Sequence, residues 1–132
     1  MNTSLARYVV EQDAHYAHVG KHLVLDLIDI DQSFDASQML DMFESSCLDA
    51  GATVLFSKIQ SFGENCGTTG IIILAESHLS WHWYNETKSI FIDLFTCGHT
   101  DPTKALKRIV EFFRPNKINQ QLLTRGKMEI ST

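Results

Sequence analysis

A serine between an acid and an imidazole, with a thiol beyond the next turn, gives this chain its most reactive constellation. Glu76-Ser77-His78 is followed by His82 and, past Asn85-Glu86-Thr87-Lys88, by Cys97. A serine hydroxyl becomes a nucleophile when its proton has an acceptor. Imidazole titrates near neutral pH, which suits His82 as a base. A thiol with an ordinary pKa of ~8.5 stays mostly protonated near neutrality, so Cys97 can deliver a proton. Thr69, in Gly67-Thr68-Thr69-Gly70, adds a hydroxyl or backbone donors.

Turn placement decides which of these groups meet. If residues 85–88 form a four-residue hairpin loop, Tyr84 pairs with Ser89, Trp83 with Ile90 and His82 with Phe91. Ser77 then faces Thr96, and Glu76 faces Cys97. Directly opposed residues on an antiparallel ladder sit ~4.5–5.5 Å apart, so serine and thiol become near neighbours. Ser77 and His82, five positions apart, fall on opposite faces of a regular strand. A bulge or bend between them would restore one site. Otherwise His82 serves another face or a neighbouring subunit.

The positioning elements are legible in the hydrophobic pattern. His22 to Ile30 reads as a strand, and Asp31 to Ser37 supplies turn and capping residues. Met39, Leu40, Met42, Phe43, Cys47 and Leu48 recur at helical spacing, with Gly51 where a C-terminal glycine belongs. Strands are predicted at Thr53–Phe56, Ile71–Leu74 and Ser89–Phe95, with a loop around Gly63–Gly67. Thr100 or Asp101 caps a helix that has Pro102 in its first turn and ends at Arg114-Pro115. A short strand follows over roughly Ile118–Leu123. The order β-α-β-β-β-α-β predicts an α+β two-layer sandwich, an antiparallel sheet with both helices on one face.

The motifs resemble those of the small prokaryotic S-adenosylmethionine decarboxylases over residues 20–126, most strongly over 62–98. Ala50-Gly51-Ala52-Thr53-Val54 matches the end of the family's first helix, and Phe62 matches the aromatic before its glycine loop. Gly67–Gly70, Glu76-Ser77-His78, His82 and Asp93-Leu94-Phe95-Thr96-Cys97-Gly98 match in turn. The resemblance implies a proenzyme that cuts itself between Glu76 and Ser77, turning Ser77 into a covalent pyruvoyl cofactor. It implies that His82 assists processing with Thr69 in support, that Cys97 is the proton donor, and that Phe62 and Glu86 contact substrate. The activity implied is decarboxylation of S-adenosylmethionine, supplying the aminopropyl donor of spermidine synthesis, by dimers with sites at their interface. Two departures lie near the substrate residues. Trp81-His82-Trp83-Tyr84-Asn85-Glu86 lacks the family's threonine and proline, and the Gly63–Cys66 loop is one residue longer and lacks a proline. Similar scaffolds act on arginine or ornithine, and an uncleaved regulatory homologue is a third reading.

Composition bounds the rest. The 132 residues, 44% hydrophobic and 20% charged, suit one globular domain with its own core. A net charge of -5 disfavours a nucleic-acid or anionic-membrane partner; the resemblance implies a small substrate with an α-amino acid moiety. No apolar run is long enough to span a bilayer, and the N-terminus lacks a signal-peptide layout. Cys47, Cys66 and Cys97 are odd in number and suit a reducing, cytoplasmic setting. No metal is expected: His15, His18 and His22 match no zinc or di-metal spacing. Trp81 and Trp83 are assigned to a core or dimer face. Residues 1–20 form an extension with no assigned role.

Overall fold

A computed structural model describes residues 11–12 and 16–129. Short strands β1 (Glu11–Gln12), β2 (Tyr16–His18) and β9 (Met128–Glu129) form a small antiparallel sheet in the order β1-β2-β9. The main sheet is built from β3 (Gly20–Ile28), β4 (Val54–Ser61), β5 (Thr68–Leu74), β6 (Ser77–Tyr84), β7 (Ser89–Cys97) and β8 (Lys117–Arg125). Its order is β4-β5-β6-β7-β3-β8, and every neighbouring pair is antiparallel.

Helices α1 (Ala36–Asp49) and α2 (Leu106–Phe113), the latter preceded by a 3-10 turn over Pro102–Ala105, cover one face. The α+β two-layer reading holds, with one correction. Four strands, not three, lie between the helices, because Ala75 and Glu76 turn the chain between β5 and β6. That turn contains neither glycine nor proline, so nothing in it interrupts the apolar run ahead of the Ser77 motif.

Local chemistry accounts for the element ends. The Asp35 carboxylate accepts from the Ser37 amide at 2.9 Å and caps α1. Gly51, at φ +83°, ends that helix in a conformation glycine adopts freely. Asp101 caps the 3-10 turn by accepting from the Thr103 amide at 3.0 Å. Arg114, at φ +47° just before Pro115, stops α2.

The core lies between helices and sheet. Leu23, Leu25, Leu27, Leu79, Trp81, Ile90, Ile92 and Leu94 point from the sheet at Met39, Phe43, Cys47, Ile109 and Phe113. Phe43 stacks on Trp81 with ring centroids 4.4 Å apart. Both Trp81 and Trp83 belong to this core. Gly70 is the small residue that makes room for the tryptophan: a Cβ there would lie 2.1 Å from the Trp81 ring. The helix-free face keeps apolar side chains in view, with Ile71, Ile73 and Phe91 at 40%, 43% and 37% exposure.

Candidate active site

The hairpin register agrees with the sequence reading at every pair. Ser77 lies opposite Thr96, His82 opposite Phe91, and Tyr84 opposite Ser89 across the Asn85–Lys88 turn. Glu76 is tied to Cys97, whose amide donates to the Glu76 carbonyl oxygen at 3.0 Å. This carbonyl precedes Ser77 directly, so a nucleophile there would push negative charge onto an oxygen already held by a donor. Ser77 itself sits at φ +146°, a region that is strained for any residue with a side chain.

Two further contacts fix this end of the sheet. The Glu76 carboxylate accepts from the Thr53 amide at 2.8 Å and from the Thr53 hydroxyl at 3.2 Å. The Thr100 hydroxyl donates to the Cys97 carbonyl at 2.7 Å. A cavity of about 420 Å³ opens alongside, lined by Gly51, Glu76, Cys97, Gly98, His99 and Thr100. Partial burial, reinforced by the negative charge of Glu76, pushes the Cys97 thiol above the usual cysteine range. The thiol therefore keeps its proton. In the sequence, Thr53 has a place only in a strand and a matched motif, and Thr100 only as a candidate helix cap; their contacts with Glu76 and Cys97 are readable only from the fold.

The other predicted residues gather at the opposite end of β6. The Thr69 hydroxyl and His82 Nδ1 are 3.0 Å apart. They line a cavity of about 450 Å³ together with Phe62, Cys66, Trp83 and Glu86. Asn85 fastens its rim: the side-chain amide donates to the Asn65 carbonyl at 2.6 Å, and its oxygen accepts from Ser33 and Lys88. Asn85 thus ties the Gly63–Cys66 loop to the hairpin turn.

One chain does not unite the two groups. The β6 register runs unbroken against both β5 and β7, so no bulge brings His82 to Ser77. Five residues of extended strand separate them by about 17 Å. The described residues divide the chemistry into Glu76-Ser77-Cys97 at one end and Thr69-His82 with Phe62 and Glu86 at the other. His22, one of the histidines weighed for metal, is instead within 3.0 Å of an Asp93 oxygen and 3.2 Å of Arg125.

Comparison with known proteins shows the family. The family model described as S-adenosylmethionine decarboxylase matches residues 21–126. A Methanococcus aeolicus protein named S-adenosylmethionine decarboxylase proenzyme is 38% identical over 84% of this chain and 97% of its own length. A Bacillus cereus protein named S-adenosylmethionine decarboxylase proenzyme 2 is 37% identical over 87% of this chain and 95% of its own. The crystal structure of the Aquifex aeolicus adenosylmethionine decarboxylase superposes with a TM-score of 0.75 at 28% identity, covering 87% of this chain and 97% of that one. Matched over most of its length by family model, relatives and fold, this chain belongs to the S-adenosylmethionine decarboxylase family.

Proposed function

We propose that this chain is a proenzyme that cuts its own 76–77 bond and then decarboxylates S-adenosylmethionine. The observation that carries the reading is the Glu76 carbonyl, held by the Cys97 amide immediately before a serine at φ +146°. The Ser77 hydroxyl adds to that carbonyl carbon, and the C–N bond breaks to leave an ester on Ser77 Oγ and a free amine on Ser77. A base then removes the Ser77 α-proton, and the ester oxygen departs as the new Glu76 carboxylate. Water hydrolyses the remaining unsaturated nitrogen, releasing ammonia and leaving a ketone at the head of 77–132. No outside oxidant is required.

The surroundings suit such a pyruvoyl group: a thiol that keeps its proton stands one ladder position away, beside a cavity of about 420 Å³. Once formed, the ketone supplies an electron sink for loss of carbon dioxide from a substrate bonded through its amino nitrogen. Cys97 returns the proton to the substrate's α-carbon. Phe62, exposed at the rim of the other cavity, offers a face to a flat heterocycle, and Glu86 a charge to a cationic substrate. The order and spacing of these groups favour S-adenosylmethionine, the substrate in the names of the relatives.

The separation of the two groups supports a two-copy site. Stack a second chain on the helix-free face, with a two-fold axis lying between the sheets and crossing β6 between Leu79 and Ser80. Strand direction reverses while the order across the sheet is kept. The partner's His82 then lies over the Glu76–Ser77 bond, across the ~10 Å spacing of packed sheets. The exposed Ile71, Ile73 and Phe91 are buried in the same step.

Intact mass under denaturing conditions tests the first claim: chains 1–76 and 77–132, the second bearing a ketone in place of its amine, are expected. Carbon dioxide release from S-adenosylmethionine, arginine and ornithine tests the second. Release from arginine or ornithine alone would replace the substrate, while an intact chain would leave the regulatory homologue.

A further inference from the structure

Five polar residues of the described chain are buried: Ser46, Thr68, Ser89, Thr96 and Thr100. Four of their hydroxyls have partners. Ser46 donates to the Met42 carbonyl, Thr68 accepts from the Trp81 indole, Ser89 is 2.7 Å from the Thr87 hydroxyl, and Thr100 donates to the Cys97 carbonyl. Thr96 is the exception among these five; elsewhere His18 Nδ1 and Ser57 Oγ are also buried atoms without a partner among the described residues. Thr96 is 1% exposed, and its Oγ1 has no hydrogen-bond partner among the described residues. A buried hydroxyl without a partner is destabilising, and valine would fill the same space without that penalty.

The position of this orphan is informative. Thr96 is the residue directly opposite Ser77. The neighbouring Glu76–Cys97 pair is the one joined amide to carbonyl, which makes Ser77–Thr96 a non-hydrogen-bonded pair. Such pairs bring Cα atoms to ~4.5 Å and side chains closest together. The unused hydroxyl therefore borders the proposed nucleophile, on the strand that also supplies the donor to the scissile carbonyl.

We propose that Thr96 is a positioning residue for self-cleavage, its Oγ1 accepting the hydrogen bond of the Ser77 hydroxyl. With its proton drawn towards Thr96, Ser77 Oγ presents a lone pair to the Glu76 carbonyl carbon. Thr96 neither gains nor loses a proton; it narrows the Ser77 rotamers to the reactive one. The inference rests on the self-cleavage reading above.

The test compares the parent with Thr96→Val and Thr96→Ser chains made by cell-free synthesis, following the full-length fraction over time by intact mass and recording thermal melting. Thr96→Val is expected to slow cleavage about tenfold or more, the worth of one positioned hydrogen bond. Its melting temperature should equal or exceed the parent's, which separates positioning from damage to the fold. Thr96→Ser, which keeps the hydroxyl and drops a methyl, should cleave within about threefold of the parent. Cleavage of Thr96→Val at the parent's rate, or equal slowing in both variants, overturns the proposal while self-cleavage stands. A parent chain that never cleaves removes self-cleavage itself, and this role with it.

Discussion

If His82 acts on a neighbouring chain's Ser77, processing must be rescuable in trans. Consider two variants, each defective for a different reason. His82→Ala keeps the nucleophile but lacks the imidazole, and alone it should process ~10²–10⁴-fold slower, the usual worth of a positioned acid or base. Ser77→Ala cannot cleave at all, yet it carries an intact His82. Co-expressed in equal amounts and pairing at random in a two-fold dimer, half of the His82→Ala chains acquire a Ser77→Ala partner. About half of all His82→Ala chains should therefore be cut, and none of the Ser77→Ala chains. A short tag on one variant makes the products distinguishable by intact mass. The geometry behind the expectation is simple: about 17 Å of unbroken strand separates the residues within one chain, against the ~3 Å a proton transfer requires. His82→Ala chains that remain whole in the mixture would refute the two-copy site, as would rapid cleavage of His82→Ala on its own. Thr69→Ala, removing the hydroxyl 3.0 Å from His82 Nδ1, should be rescued by the same partner.

Three further outcomes follow from the packing and the titrating groups. Gly70→Ala would drive a methyl to within 2.1 Å of a Trp81 ring already stacked on Phe43, so denaturant titration should record a loss of ~1–3 kcal/mol or more; an unchanged midpoint would contradict the packing. In the uncut Ser77→Ala background, iodoacetamide labelling of Cys97 should have its pH midpoint above that of a free thiol. Glu76→Gln should lower that midpoint, and a parent midpoint below the free value would contradict the assignment. Burial, aided by the charge of Glu44, lifts the Cys47 thiol from 9.0 to about 12. Below pH 9 folded and unfolded chains both keep this proton. Between 9 and 12 only the unfolded chain gives it up, so stability falls by ~1.4 kcal/mol per pH unit. Cys47→Ala should flatten the alkaline slope measured by urea unfolding at pH 9–10.5 by that amount, and an identical slope in both proteins would count against it.

Much of the site was readable because a four-residue turn fixes a ladder. Once Asn85–Lys88 is taken as the loop, the pairing of Ser77 with Thr96 and of Glu76 with Cys97 follows by counting, and the structure agrees. The two helices were equally plain, since Asp35, Gly51 and Arg114-Pro115 punctuate them with well-understood chemistry. The Ala75–Glu76 turn escaped because it carries no residue that favours turning. Its tightness comes from ladder closure on both sides, with the Ala75 amide donating to the Thr53 carbonyl and Cys97 donating to Glu76. The choice between a bulge and a second subunit also lay beyond the pattern, since alternation gives parity and not distance. Which buried hydroxyls find partners depends on three-dimensional neighbours, so nothing in Phe95-Thr96-Cys97 marks Thr96 apart from Thr68.

If the 76–77 bond is cut as proposed, the strand order has a consequence for the life of the molecule. Residues 1–76 contribute β3, β4 and β5, and residues 77–132 contribute β6, β7 and β8. β3 is nevertheless inserted between β7 and β8, while β5 is zipped to β6. The two products would be interleaved like the fingers of clasped hands, and parting them would mean unzipping three ladders of the main sheet and the β2–β9 pair at once. The scission would therefore leave the architecture standing but discard the tether that made its assembly unimolecular. A precursor can fold at any dilution, whereas a denatured mature enzyme must find its other half by diffusion, with one strand to be threaded between two. Its durability would then be governed by how slowly it opens rather than by how readily it re-forms.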